Sequence, residues 1–515
     1  MRFAVRAFGL LLAALLLAGC AGLPEHPPRP ESHVRVSPDE SVLGAVARDA
    51  GIEAQDSGFR AMPEATVALD ARLELIRRAT VSLDVQYYLI GDDSVGRSVL
   101  RALRDAGQRG VRVRLLVDDL YTRGMDPLLW GLAATPNVEV RLFNPFTVRS
   151  STVARTANFL GDFKRLNQRM HNKLLVADGH VAVVGGRNLA DEYFFRHREA
   201  NFIDFDMLMV GAVVPQLSGC FDAYWNSAMV YPLEAITRSA ESVVERTAAF
   251  ERLTSNDLPA PPLSQPDMFG EDPLGIQLQT RKFSFFRGQA EAWADEPAKA
   301  QDGAPAAVTV KQRFMQEMGR ARQQLILFSP YFIPGEAGVA SIRAMRSRGV
   351  EVRVVTNSLG ASDEPLVNVG YARYRGELLK SGVRLFEVAS DRLKSDSRIG
   401  RLLGASAGRL HAKMAYVDGE TLLVGSMNLD PRSERINTEI GVIVHSREVT
   451  QRLLGVFNTD RNVDYEVRLD DDGSTLIWVS RSGDRESRRL NEPGAGWWQN
   501  LKLRLMWMFV AEDLL

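Results

Sequence analysis

The sequence predicts an α/β protein built from two related halves. Three observations predict it. First, Arg109–Val117 (RGVRVRLLV) returns as Arg348–Thr356 (RGVEVRVVT), an offset of 348 − 109 = 239 positions. Second, β-rich apolar runs alternate with helical patterns around each copy, which is the signature of βα units on a mostly parallel sheet. Third, 515 residues at 45% hydrophobic and 25% charged give a globular chain with room for several domain-sized units, so wholesale disorder, collagen and coiled coil are excluded. A period this long implies duplication of a whole half, not a solenoid.

The elements follow in order. Arg2 and Arg6 precede the apolar run Leu10–Leu17, too short to span a bilayer but of the length of a secretory signal. The run ends in Leu17-Ala18-Gly19-Cys20, which resembles the lipobox of bacterial lipoproteins. It sets residues 1–19 as a signal peptide, Cys20 as the lipidated residue, and the periplasmic face of the outer membrane of a bacterial envelope as the expected site. Residues 20–58, Pro-rich and polar up to Pro38, read as a tether. Residues 59–255 form the first half: strand Val81–Ile90, helix Val99–Gln108, the repeated β-rich run Arg109–Val117, strand Val138–Phe143. Residues 256–306 are expected to connect the halves, with Phe283–Phe286 as a buried strand or a lipid-contacting edge. The second half, 307–465, repeats the order with strand Gln324–Ile333, helix Val339–Ser347, the run Arg348–Thr356 and strand Gly382–Val388. Residues 466–515 are an extension. Its Asp470-Asp471-Asp472-Gly473 turn offers too few converging ligands for calcium. In its tail, Trp497, Trp498, Leu501, Leu505, Met508 and Phe509 share one helical face, beside Lys502 and Arg504 and interrupted by Trp507, and suit either a membrane interface or a helix docked on the domain.

A second repeat carries polar residues. Met170-His171-Asn172-Lys173 with Asp178-Gly179 matches Leu410-His411-Ala412-Lys413 with Asp418-Gly419. Gly185-Gly186-Arg187-Asn188 then matches Gly425-Ser426-Met427-Asn428 in the same phase. Duplication preserves apolar positions more readily than His and Lys on one strand face, so the polar set points to chemistry. Asp-Gly at 178–179 and 418–419 predicts a hairpin turn after each His-x-Lys strand. The glycines beyond let backbone approach a ligand, and the asparagine amides donate to anionic oxygens.

Two His–Lys–Asn sets facing one another suit an anionic diester. One imidazole attacks phosphorus and the other protonates the departing alcohol. Lysines and asparagines hold the non-bridging oxygens. No cofactor is required, and no metal site is expected, because Lys is not a usual ligand and each copy offers a single His. Only Cys20 and Cys220 are present, so there is neither a disulfide framework nor a cysteine zinc site.

The two His-x-Lys-x4-Asp motifs with Gly-x-x-Asn extensions resemble those of the phospholipase D superfamily, across roughly residues 60–450. The resemblance implies two α/β halves about a pseudo-twofold axis, with the active site at their interface and a phosphohistidine intermediate. It implies His171 as nucleophile and His411 as general acid, an order the sequence does not fix. Lys173, Lys413, Asn188 and Asn428 fall at phosphate-binding positions. Asp178 and Asp418 brace turns, and Gly185, Gly186, Gly425 and Ser426 support the motif. Glu439 and Asp204 are the acids that orient the histidines, with Asp206 competing for Asp204's place. The first half has Gly186 where the second has Ser426, so a hydroxyl is expected from Ser426 alone.

Leu83–Tyr88, Thr122–Asp126, Leu142–Phe146 and Asp191–Phe194 resemble the bacterial cardiolipin synthases in particular. That branch implies transfer of a phosphatidyl group to phosphatidylglycerol, with phosphatidylethanolamine as one donor. A phospholipase D hydrolase is the alternative, and a nuclease the third reading. Lys plus Arg of 63 against Asp plus Glu of 64 supplies no dominant basic field, so no nucleic-acid partner is expected; the expected partners are phospholipids and a membrane surface. Tyr87, Tyr88, Tyr193, Tyr331 and Phe332 either pack in the core or line a lipid pocket. Oligomeric state is not legible.

Overall fold

A computed structural model describes residues 23–25, 29–149, 151–301, 308–389, 407–456, 465–482, 485–494 and 496. Residues 1–19, read as a signal peptide, Cys20 and the tryptophan-rich tail lie outside the described residues.

The first half contributes nine strands: β1 (Ser57–Met62), β2 (Ser82–Tyr87), β3 (Arg112–Asp118), β4 (Val138–Phe143), β5 (Lys173–Ala177), β6 (Val181–Gly185), β7 (Ala200–Ile203), β8 (Asp206–Gly211) and β9 (Val230–Pro232). The parallel trio β2, β3 and β4 is built from the apolar runs that repeat along the chain. The crossover helix Ser94–Gln108 buries Val95, Val99, Leu100 and Leu103, and its start is fixed by the Asp93 carboxylate accepting from Gly96 N at 2.9 Å. Antiparallel β5, β6, β8 and β1 complete this half.

The second half repeats the plan with β10 (Phe286–Ala294), β11 (Gln324–Phe328), β12 (Glu351–Asn357), β13 (Arg384–Val388), β14 (Ala407–Leu410), β15 (Met414–Val417), β16 (Thr421–Gly425) and β17 (Ile440–His445), then β18 (Tyr465–Leu469), β19 (Leu476–Ser482) and β20 (Arg485–Arg489). Its parallel trio is β11, β12 and β13. Among the described residues, eighteen strands join in one sheet, because β10 pairs with β1 through Phe286–Gly288 and with β17 through Gln289–Ala294. The segment read as a connector therefore supplies the strand that welds the halves. Its alternating half-buried pattern belongs to an antiparallel strand with one solvated face.

Three large apolar clusters follow from this layout, beside a small one at Ile333 and Val367. One lies under the helices of the first half, one under those of the second. The third lies between the sheets and mixes Phe59, Met170 and Leu174 with Met414, Tyr416 and Val444. The two halves are thus joined by a continuous dry interior. The chain expected to act as a tether is held to the first half from Ser32 onward: Ser32 N and Val34 N donate to Asn226 and Asp222 side chains at 3.0 Å, and Ser37 N donates to Asp178 O at 3.0 Å.

Candidate active site

Both Asp-Gly turns form as the dipeptides demand. Asp178 and Gly179 have φ of 53° and 71°, Asp418 and Gly419 φ of 54° and 69°. Neither carboxylate faces the histidines. Asp178 accepts from Thr80 N and Oγ1, Val81 N and Ser82 N at 2.8–3.1 Å, and Asp418 accepts from Arg322, Gln323 and Gln324 N at 2.8–3.2 Å. Each closes the loop entering the first parallel strand of its own half.

The histidines stand just before β5 and β15, not within them, because their backbones pair across the seam. His171 N donates to Thr438 O at 2.9 Å, and His411 N to Ile203 O at 2.7 Å. β14 runs parallel to β7 in the same way. This exchange brings each orienting acid to the histidine of the other half. Glu439 Oε2 lies 2.9 Å from His171 Nδ1, and Asp204 Oδ2 lies 2.6 Å from His411 Nδ1. Asp206 is otherwise engaged, in buried ion pairs with Arg72 and Arg187 at 3.0 and 3.1 Å. All four residues of the two His–acid pairs are buried.

Lys173 Nζ donates to His171 O at 2.7 Å. Lys413 Nζ donates to His411 O at 2.6 Å and lies 3.0 Å from that ring's Nδ1. Asn188 Nδ2 donates to the Tyr193 hydroxyl at 2.8 Å, and the Asn188 and Asn428 Oδ1 atoms have no protein partner. Ser426 Oγ donates to Glu439. In the first half a Cβ on Gly186 would stand 2.1 Å from Asp204 Oδ1, so the acid that serves His411 leaves no room for a serine there.

Burial governs the charges. It pushes the His171 imidazole well below its ordinary range, helped by Lys173, Lys413 and His411. His411 is lowered too, by burial and Lys413, but Asp204 opposes the shift. Burial would raise Asp204; the His411 ring and Lys413 outweigh it and hold the carboxyl at about 2. Glu439 goes the other way, raised by burial to about 7 despite Lys173 and Ser426. Lys413 falls to about 8 through burial. The charges of Lys413 and His411 add to the lowering of His171, so the two His–Lys pairs act on one another electrostatically.

The family described as cardiolipin synthase, PLD-like domain, matches residues 73–225 and 314–461, one match per half. The chain belongs to this family. It is 37% identical over 459 residues to cardiolipin synthase C of Escherichia coli strain K12, an alignment covering 87% of this chain and 94% of that one. It is 25% identical over 427 residues to cardiolipin synthase of Staphylococcus aureus, covering 82% and 71%. Among solved structures, phosphatidylserine synthase of Haemophilus influenzae superposes with a TM-score of 0.50 at 15% identity, over 80% of this chain and 88% of that one; this likeness speaks for the fold.

In this member of the PLD-like family, four residues support the site in roles that the sequence reading did not assign to them. Tyr88 meets His171 edge-on with ring centroids 4.9 Å apart, and Tyr193 meets His411 at 5.1 Å. Arg169 is buried against Asp118 at 3.0 Å, and Asp118 also accepts from Met170 N at 2.8 Å, which sets the approach to His171. The fourth, Arg187, donates to Asp204 O at 2.6 Å. Of the aromatics read as core or lipid-facing, Tyr87 belongs to the core: it is fully buried and accepts from Arg72 at 2.9 Å. The signal for Arg169 and Arg187 was their place beside each motif. Nothing in the sequence distinguishes Tyr88 from Tyr87 except strand parity.

Proposed function

We propose that the protein is a phosphatidyltransferase of cardiolipin-synthase type working through a phosphohistidine. Membership of the family supports an enzyme acting on phospholipids by phospholipase D-type chemistry. The observation that carries the mechanism is the crossed pairing of Glu439 with His171 and Asp204 with His411. Each Nδ1 is held by a carboxylate, which turns each Nε2 to the reaction, with Lys413 Nζ 3.2 Å from that of His411.

His171 is the nucleophile, since burial and the lysines keep it neutral. Its Nε2 forms a bond to phosphorus as the bond to the head-group oxygen breaks. His411 hands its proton to that oxygen, and the Asp204 carboxylate, ionised down to about pH 2, stabilises His411 while it holds the proton. The head-group alcohol leaves. A hydroxyl of phosphatidylglycerol then gives its proton to His411 and attacks phosphorus, the N–P bond breaks, and cardiolipin departs with both histidines restored. Lys173, Lys413, Asn188 and Asn428 hold the non-bridging oxygens.

No helix among the described residues is long and apolar enough to cross a membrane. We propose attachment through a lipidated Cys20 at the periplasmic face of the outer membrane, with the body held close by the docking of residues 32–37. The test is to incubate purified protein with phosphatidylglycerol, with and without phosphatidylethanolamine, and to read products by mass. Cardiolipin is expected. Phosphatidic acid alone would assign water as acceptor and overturn the transferase reading.

A further inference from the structure

The two halves differ in one respect that the repeat does not foretell. In the first half, helix Ala65–Arg78 packs on helix Ser94–Gln108 and on the turn Asp191–Phe194, closing the space between them. In the second half the corresponding elements, helix Val310–Gly319, helix Gly335–Ser347 and the stretch after Asn428, line a cavity of about 920 Å³. Apolar, flexible side chains, Met315, Met318, Leu327, Phe332, Ile342 and Met345, make up much of its wall. Methionines give such a wall the adaptability that fits a flexible ligand.

The cavity is joined to the active site by backbone. Leu429, which lines it, follows Asn428; Ile333 N donates to Leu429 O at 2.7 Å, and Leu429 N to Ser329 Oγ at 3.1 Å. Polar residues, Lys311, Gln312 and Glu434 among them, stand at its rim. An apolar pouch with a polar mouth, one residue from a phosphate-holding asparagine, matches a molecule with a phosphate and a hydrocarbon tail. Its volume lies in the range of about 300–1,000 Å³ typical of small-molecule sites, large enough for a fatty chain.

We propose that this cavity is an acyl-chain site: it takes one fatty chain of a phospholipid whose phosphate lies between His171 and His411. The proposal rests on the function proposed above for that same site. It also makes the enzyme asymmetric, since the matching space in the first half is closed, so bound lipid enters the symmetric His–Lys–Asn constellation in one orientation.

Two measurements test it, one of binding and one of turnover. Phosphatidylglycerol carrying a diazirine at the end of one acyl chain, presented in mixed micelles to the full chain and photolysed, is expected to leave adducts on peptides spanning 310–347. Adducts confined to other peptides would overturn the site even if cardiolipin were formed. Labelling at 310–347 without any transfer would instead uphold the site and sink the proposed activity. For turnover, Ser341→Trp places bulk at the exposed rim, where folding is least at risk, and Ile342→Trp fills the interior. Each is expected to lower the ratio of kcat/KM for dioleoyl over dihexanoyl phosphatidylglycerol by about tenfold, the loss of a few buried methylenes. An unchanged ratio in a folded Ser341→Trp protein would refute the assignment.

Discussion

Replacing Asp204 by Asn tests which histidine is the acid. The carboxylate touches His411 Nδ1 at 2.6 Å, inside a fully buried pair. Its depression from 3.8 to about 2 corresponds to roughly 2–3 kcal/mol, at about 1.4 kcal/mol per unit. His411 and Lys413 share that coupling, which also offsets the cost of burial, so the net figure sets the scale of what the imidazolium loses when the charge is removed. The proton affinity of His411 should fall by between one and two pH units, and head-group expulsion should slow by roughly 10- to 60-fold. The sign is fixed: His411 must be protonated to act as acid, so the alkaline limb of kcat/KM moves to lower pH. The assay compares phosphatidylglycerol with a p-nitrophenyl phosphodiester in a stopped-flow burst. The nitrophenolate leaves without a proton, so the burst should be nearly as fast in Asp204→Asn as in the unaltered protein. An equal defect on both substrates, or an unmoved alkaline limb, would refute His411 as the acid. Stability gives a second readout. Because the Asp204 pKa is depressed on folding, its contribution is present above about pH 4 and lost as pH falls toward 2; the Asn variant should lack this acid-linked loss.

Other predictions follow from the same geometry. His171→Ala should abolish turnover, whereas His411→Ala with the nitrophenyl substrate should accumulate an acid-labile phosphoryl adduct, found by mass on residue 171 and nowhere else. Asp178→Ala strips the partner from the amides of Thr80, Val81 and Ser82 and should cost about 3–5 kcal/mol of unfolding free energy, read by denaturant titration, while activity per burst-titrated site stays near normal. A Cβ at Gly425 would stand 2.3 Å from Ile440 O, so Gly425→Ala should wedge β16 from β17 and lower stability by about 1–3 kcal/mol in a thermal melt. Prolonged EDTA treatment should leave cardiolipin formation intact; loss restored by a divalent ion would contradict the proposed histidine-only chemistry.

The duplicated plan was legible because its signals are local. Alternating apolar runs make the parallel trios, and Asp-Gly makes both hairpins. His171, Lys173, His411 and Lys413 stood out because polar residues recurred in phase. What escaped depends on contacts between distant segments. Nothing at Glu439 or Asp204 says that each serves the opposite histidine, since that follows from β7 pairing with β14 and from Thr438 pairing with His171. Asp206 looked equivalent to Asp204 until Arg72 and Arg187, separated from it along the chain by 134 and 19 positions, were seen to occupy it. Likewise β10 hid in a stretch rich in Pro and Ala, because a strand that pairs its first three residues with β1 and its other six with β17 shows no single buried face.

The crossed pairing bears on how a duplicated site gains direction. Two identical halves would give two identical histidines, and neither would be favoured as nucleophile. Here the acids differ. The shorter Asp204 demands a glycine at 186 and remains ionised, so it favours a charged ring at His411. The longer Glu439 leaves room for Ser426, whose hydroxyl donates to it, yet burial still raises its carboxyl to about 7. A carboxyl that is partly protonated near neutrality does less to charge the ring beside it. His171 therefore stays neutral and His411 is the easier of the two to protonate. On the proposed mechanism, one substitution of acid and one of glycine for serine suffice to order the two chemical steps. Exchanging them together, as Gly186→Ser with Asp204→Glu and Ser426→Gly with Glu439→Asp, should move the trapped phosphoryl adduct from residue 171 to residue 411. An adduct that stayed on residue 171 in the folded exchange variant would show that direction comes from elsewhere, with the acyl cavity on the Asn428 side as the remaining asymmetry.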